Sequence, residues 1–372
     1  MKDAGDINLL QLALKVLKDI NSHGYKAYIV GGFVRDHILG IESNDIDITT
    51  NATPKEIKEI FDDSCLPAED YGSVKVIKNG ILFEITTFRK EINYVDHRRP
   101  DKIEYIDDLY EDLLRRDFTI NSICMDMNGE IIDLLGGKED LNNRVIRTIG
   151  VARERFEEDC LRILRAVRFA TILDFSLDDE VIMAIKDTKH LLRKLSYYRK
   201  KGELDRIFTS GNNMRGVKLL LDLGLDSELE LDRLKDIKHI DSCISAWSIL
   251  NVTDKYPFSS NELELIKNIN KALTLNNLDP MALYKYGLYV NSVAGDIKGL
   301  DKKNVTESYA ALPIHAKKDL DIECSDITKA LNRAPGKYLY DIYDVIVYNV
   351  LYRKLANNKE DILKYVVDKY KS

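Results

Sequence analysis

Residues 28–50 read Tyr-Ile-Val-Gly-Gly-Phe-Val-Arg-Asp-His-Ile-Leu-Gly-Ile-Glu-Ser-Asn-Asp-Ile-Asp-Ile-Thr-Thr, and this stretch constrains the fold more than any other. An apolar run, Ala27–Val30, ends at Gly31-Gly32. An amphipathic segment, Phe33–Leu39, follows and stops at Gly40, and Asp45-Ile46-Asp47-Ile48 opens a second apolar run. The pattern predicts strand, tight glycine turn, short helix, strand. Each part has a chemical use. Glycine lets the backbone adopt positive φ and approach a phosphate, a helix N-terminus beside it offers N–H groups to an anion, and Arg35 adds a fixed cationic fork. On a strand, Asp45 and Asp47 point the same way while Ile46 and Ile48 face the core. Two convergent carboxylates suit Mg²⁺. A triphosphate grip beside a metal pair is equipment for moving a nucleotidyl group.

The surrounding sequence supplies a frame. Ile7, Leu10, Leu14 and Leu17 have helical spacing, with Asp6 as cap and Gly24 as stop. Thr53-Pro54-Lys55-Glu56 is a capping box with proline at the first helical position, predicting a helix over 54–61. Asn79-Gly80 between 73–78 and 81–88 is a hairpin signal. Glu84 interrupts the second of those strands: it is either solvent-facing or, on a strand beside Asp45 and Asp47, a third carboxylate. Residues 89–109 are charged and without period, an irregular insert of a kind that is usually functional or disordered. Arg115-Arg116-Asp117-Phe-Thr-Ile-Asn121 then leads into an apolar strand at 122–127.

Residues 156–170 carry a helical apolar pattern, on which Asp159, Arg162, Arg165 and Arg168 recur every third position and share one face. Further on, the segment 186–206 is rich in lysine and arginine, with Tyr197 and Tyr198 inside it. The chain as a whole carries a net charge of −7, so RNA binding would depend on such a local patch. Lys194, Arg199, Lys200 and Lys201 are its candidate phosphate contacts, with stacking available from the tyrosines.

At 372 residues the chain is long enough for two to four modules. Its five cysteines are scattered and contain no Cys-x-x-Cys, which excludes a disulfide framework or zinc site and fits a reducing cytoplasm. No apolar run approaches the roughly 20 residues of a membrane span, and the first residues lack a signal-peptide layout.

Joined at this spacing, Gly31-Gly32, Arg35 and Asp45/Asp47 resemble the head motif of the nucleotidyltransferase superfamily, in the form used by class II (bacterial-type) CCA-adding enzymes and bacterial poly(A) polymerases. Arg116, Asp117 and Asn121 resemble that family's ribose- and triphosphate-contacting motif, and Glu158-Asp-Cys-Leu-Arg162 its Glu-Asp-x-x-Arg motif. The physical rationale of the latter is clear. Cytosine and adenine both show an amino donor beside a ring-nitrogen acceptor, so a carboxylate (Asp159) accepts from one and a guanidinium (Arg162) donates to the other. Guanine and uracil would leave buried groups unpaired. Arg199 and Glu203-Leu204 match the next motif, with Tyr198 where the family has Glu, and parts of 312–362 resemble the tail that grips the tRNA elbow.

The resemblance implies an α+β chain. A polymerase-beta-like mixed-sheet head (1–146) is followed by an all-α neck (147–212), body (213–310) and tail (311–372). It implies catalytic Asp45, Asp47 and Glu84, with the metal on Asp45 and Asp47. Nucleotide contacts fall to Gly31, Gly32, Arg35, Arg116, Asp117, Asn121, Asp159, Arg162, Arg165 and Arg168. Two Mg²⁺ ions, CTP and ATP as substrates and tRNA as partner follow, in a cytoplasmic monomer or homodimer. The insert at 89–109 occupies the place of a flexible loop that CCA-adding enzymes need for the terminal A and that CC-adding relatives largely lack. Two other readings stay open. One is an A-adding enzyme or a poly(A) polymerase; against the latter stand the short chain and the lack of a basic extension. The other is an inactive RNA-binding protein of the same fold, against which stands the intact carboxylate pair.

Overall fold

Short β-branched runs punctuated by glycine turns build one sheet at the front of the chain, which the computed structural model describes over residues 9–43, 45–62, 72–95 and 99–371. After helix α1 (Leu9–Ser22) come strand β1 (Ala27–Val30), helix α2 (Gly32–Leu39), strand β2 (Asp47–Thr50) and helix α3 (Pro54–Phe61). Strands β3 (Ser73–Lys78) and β4 (Ile81–Thr87) form a hairpin, as do β5 (Arg89–Val95) and β6 (Arg99–Tyr105). Helix α4 (Leu109–Leu114), the short strands β7 (Cys124–Met125) and β8 (Ile131–Ile132) and helix α5 (Gly137–Asn143) complete this part. The sheet order is β3-β4-β2-β1-β7-β8. It is mixed: β2 runs antiparallel to β1 but parallel to β4.

The local reasons are those the sequence offers. Gly31 holds φ 82° and ψ −136°, a region closed to other residues. Gly40 closes α2 in a left-handed C-cap. Thr53 and Glu56 cap α3 reciprocally. Asn79 and Gly80 both take positive φ, 52° and 77°, the requirement of a two-residue hairpin turn whose twist matches its strands. Gly137 has a packing reason instead: a Cβ there would lie 2.3 Å from the Thr119 carbonyl oxygen. The predicted cap Asp6 falls outside the described residues.

Two expectations change. The insert at 89–109 is not irregular: Arg89 pairs with Tyr105, Lys90 with Glu104 and Glu91 with Ile103 across β5 and β6. On β5 the inward positions are the charged Arg89 and Glu91, paired with each other and 16% and 10% exposed, while Lys90 between them faces out, so the alternation is not written in apolar residues. The helix predicted over 156–170 is two helices, α6 (Ala152–Glu158) and α7 (Leu161–Ile172), with Asp159 extended between them at φ −139°, ψ 100°.

The chain divides into two compact units, Met1–Leu231 and Asp232–Ser372. Strands β9 (Val145–Ile146) and β10 (Ser176–Leu177) pair between α6/α7 and α8 (Asp179–Thr188). Helix α9 (Tyr197–Thr209) and helix α10 (Asn213–Asp222) both pack on α7. The expected body, starting at 213, therefore opens with a helix that packs inside the first unit.

The second unit is helical: α11 (Cys243–Leu250), α12 (Ser260–Ala272), α13 (Pro280–Ile297), α14 (Lys302–Ala310), α15 (Cys324–Leu331), α16 (Tyr338–Leu351) and α17 (Lys359–Tyr370). Helix α13 breaks at Gly287, φ 74° and ψ 174°. Leu283 before the break joins a core with Ile327, Ile346 and Ile362, while Val290 and Val293 after it join one with Ile269 and Ala272. Trp247 is buried against Tyr256 and Phe258. Among the described residues no helix is long and apolar enough to cross a membrane.

Candidate active site

A cavity of about 510 Å³ opens where the β1–α2 turn meets α7. Gly31, Gly32, Arg35, Asp45, Asp47, Arg116, Asp117, Asn121, Asp159, Arg162, Arg165 and Arg168 all line it. Residues more than a hundred positions apart in sequence thus converge on one space, with the N-terminus of α2 pointing its free N–H groups at it.

On the sheet side, Asp47 begins β2 and Asp45 lies two residues earlier, outside the strand. Both are exposed to the cavity. The Asp47 carboxyl is pushed up to about 6, first by the protein packed behind it and then by the Asp45 carboxylate, with Arg116 pulling the other way. Glu84 is the register partner of Asp47 across the parallel β2–β4 pair, so the two side chains share a face. It does not line the cavity, however: its Oε1 accepts from Ser73 Oγ at 3.0 Å. Among the described residues, Asp45, Asp47 and Glu84 do not close into a group able to grip one ion; His239, Asp241 and Asp296, in the second unit, lie close enough together to do so. There Asp241 is already paired with Lys302.

On the helical side every arginine is held. Arg35 Nη1 donates to Asn121 Oδ1 at 2.7 Å, and its Nε to Asp36 Oδ1 at 2.8 Å. Arg165 clasps Asp117 Oδ2 with Nε, at 2.7 Å, and with Nη2. Arg168 and Glu203 form a pair with both side chains 7% exposed, and burial lowers the arginine to about 10 despite the glutamate. Arg162 Nη1 donates to Glu158 Oε2 at 2.9 Å and to the Arg155 carbonyl at 3.1 Å, and Nη2 to the Arg115 carbonyl at 3.0 Å. Arg155 Nη2 reaches the Leu114 and Arg116 carbonyls at 3.0 and 2.7 Å. Together the two guanidinium groups satisfy three successive carbonyls at the end of α4, which a helix terminus otherwise leaves unpaired.

Asp117 lines the cavity with its carboxylate already engaged. Its Oδ1 accepts from Phe118 N and Asn121 Nδ2, and its Oδ2 accepts twice from Arg165. A carboxylate has about four lone-pair sites, so all are taken by protein. Burial alone would raise this carboxyl, but Arg165 and these hydrogen bonds hold it down to about 2. At the cavity wall Asp117 thus orients Arg165 and Asn121.

Of the expected RNA contacts, Lys194 is exposed on a turn before α9 and Arg199 is half-buried on that helix. Lys200 is 2% exposed, with its ammonium 4.7 Å from the Tyr197 ring centroid. It packs inside the protein and is corrected as a phosphate contact. Lys201 is paired with Asp205 at 2.8 Å.

Sequence reasoning missed Glu91, Arg115, Phe169 and Arg206, which also line the cavity, and the buried Asp112. Asp112 is fully buried and accepts from Thr49 Oγ1, Arg89 N, Arg115 Nε and Arg116 Nη2. Burial would raise this carboxyl, yet Arg115 and Arg116 keep it below its ordinary range. The clue in the sequence was its position three and four residues before two arginines.

Residues 27–147 match the family described as the poly A polymerase head domain, and residues 244–366 match tRNA nucleotidyltransferase domain 2. The CCA-adding enzyme of Ligilactobacillus salivarius is 34% identical over 382 residues, covering 95% of each chain. The chain belongs to the CCA-adding enzyme family. The family's enzyme from a Geobacillus strain is likewise 34% identical, over 96% of each chain. The family's crystal structure from Bacillus stearothermophilus, a complex with CTP, superposes with a TM-score of 0.85 at 28% identity, covering 99% of this chain and 98% of that one.

Proposed function

We propose that this protein completes the 3′-terminal CCA of tRNA from CTP and ATP, without a nucleic-acid template. The tRNA 3′-hydroxyl attacks the nucleotide α-phosphate and pyrophosphate leaves. The observation that carries this reading is one cavity in which a glycine turn, two adjacent carboxylates and the arginine-lined break at Asp159 converge, in a chain that matches 95% of the length of a curated relative.

The residues divide the work. The N–H groups at the start of α2, with Arg35 and Arg116, grip the triphosphate. Asp159, extended at the helix break, accepts from the exocyclic amino group shared by cytosine and adenine, and Arg162 beside it donates to the ring nitrogen. Asn121, fixed by Arg35 and Asp117, faces the sugar. Asp45 and Asp47 fit a divalent cation. They are hard oxygen donors, and Asp47, raised first by burial and then by the neighbouring Asp45 carboxylate, would be relieved by a bound cation. A bound Mg²⁺ would supply activation of the attacking hydroxyl and charge neutralisation on the phosphates. The β5–β6 hairpin, tied in through Glu91 to Arg115, favours full CCA addition over a CC-only activity. The lysines and arginines of 186–206 that reach solvent hold the acceptor end, and the tail holds the tRNA elbow, in the cytoplasm.

The test is nucleotide incorporation into three tRNA transcripts, ending before the CCA, after CC and after CCA. Two C's, then one A, then arrest is the expected result. Addition of A only to the CC-ended tRNA makes it an A-adding enzyme. A growing A tail on any RNA makes it a poly(A) polymerase.

A further inference from the structure

Phe169 lies near the end of α7, 8% exposed, with its ring against the cavity. Three guanidinium groups surround that ring. The central carbons of Arg168, Arg35 and Arg165 lie 4.3, 5.1 and 5.4 Å from its centroid. Phe118 meets it edge-on at 5.8 Å, with the ring planes at 80°, which fixes the orientation of the ring.

Three like charges this close repel, and each is restrained by a partner on a different element. Asp36 of α2 holds Arg35, Asp117 beyond α4 holds Arg165, and Glu203 of α9 holds Arg168. Phe169 touches all three. An aromatic face carries negative quadrupole charge, so the ring attracts each guanidinium where an aliphatic side chain of equal volume would only exclude water. Such contacts strengthen as they are desolvated, and Arg35 and Arg168 are nearly buried. Arg165, with its side chain 31% exposed, has the most freedom to swing away.

We propose that Phe169 is a positioning residue for the nucleotide. Its ring gathers Arg35, Arg165 and Arg168 into one preset cationic wall, so that an incoming triphosphate meets arginines already aimed. The proposal rests on the nucleotide-site reading above and adds to it a residue that its packing alone would class as core.

The test replaces Phe169, in the full chain, with mono-, di- and trifluorinated phenylalanines, which weaken the ring's quadrupole stepwise while nearly keeping its shape. KM and kcat are measured for CTP on a tRNA lacking CCA and for ATP on a tRNA ending in CC, beside direct CTP binding and the melting temperature. The expected result is a KM that climbs with each fluorine, by about tenfold in all, with kcat within about twofold and melting unchanged. Phe169→Leu should match or exceed the trifluorinated protein, and Phe169→Trp should restore most of the affinity. A flat KM across the series, in a protein that binds and adds CTP normally, overturns the proposal alone, as does a KM that merely follows loss of melting temperature. If the unsubstituted protein neither binds CTP nor adds it, the nucleotide-site reading falls and takes this inference with it.

Discussion

The two walls of the cavity solve opposite electrostatic problems. The sheet wall sets a desolvated Asp47 beside Asp45, and despite Arg116 and Arg165 nearby Asp47 holds its proton up to about pH 6. On the helical wall, by contrast, each arginine has a carboxylate, an amide, a carbonyl or an aromatic ring in contact before any ligand arrives. One wall is therefore built to be completed by a cation, and the other holds its own charges in place. Rigidity on the selecting side and an unmet charge on the reacting side are what preorganised nucleotide transfer requires.

Breaking the sheet wall should cost most. Asp47→Ala is expected to lower nucleotide addition by about a thousandfold or more, since metal-assisted charge stabilisation is worth several kcal/mol. Affinity for tRNA, measured by gel shift, should stay near that of the unaltered protein. Retained addition would put the reacting centre elsewhere.

Breaking the selecting side should change choice more than rate. With Asp159→Ala, discrimination of C and A against U and G should fall about tenfold to a hundredfold, as an unpaired buried polar group costs about 1–3 kcal/mol. Competition assays with all four nucleotides measure it, and unaltered selectivity would sink the template role.

Acidification should sharpen the contrast. The raised Asp47 carboxyl means that the folded protein binds that proton more tightly than the unfolded chain. The stability this gives is present at low pH and is lost as pH rises through about 6. The same proton competes with a cation, so calorimetric Mn²⁺ affinity should fall about tenfold per pH unit below 6. The Asp117–Arg165 pair, whose carboxyl sits at about 2, should stay intact throughout that range.

The smallest effect concerns the RNA-facing residues. Lys194→Ala should reduce the salt dependence of tRNA binding by somewhat under one counterion. Lys200→Met should leave it unchanged, because that ammonium is buried against Tyr197.

These differences track what a linear sequence can carry. The glycine turn, the capping box and the Asn-Gly hairpin were legible because each depends on neighbours a few residues away. Asp159 and Arg162 were legible as a pair, but not the helix break that separates them, since the apolar spacing of 156–170 runs through it without a proline or glycine. The fate of Asp117, consumed by Asn121 and by Arg165 forty-eight residues on, depends on contacts that no local pattern announces. Lys200 reads as one cation in a basic run. Only the packing of α9 against its neighbours turns it inward.

The grip of Arg155 and Arg162 on the carbonyls of 114–116 bears on how such a protein could change its alphabet. In the proposed reading Arg162 meets the base, and it also closes the end of α4, so a variant selected there for a new nucleotide loses an anchor along with the old preference. Asp159 also caps a helix, its Oδ1 accepting from Leu161 N at 3.0 Å at the start of α7, but Asn, Ser or Thr in its place would keep that bond. Drift toward other bases should therefore enter through Asp159, with Arg162 held in place by the architecture it supports.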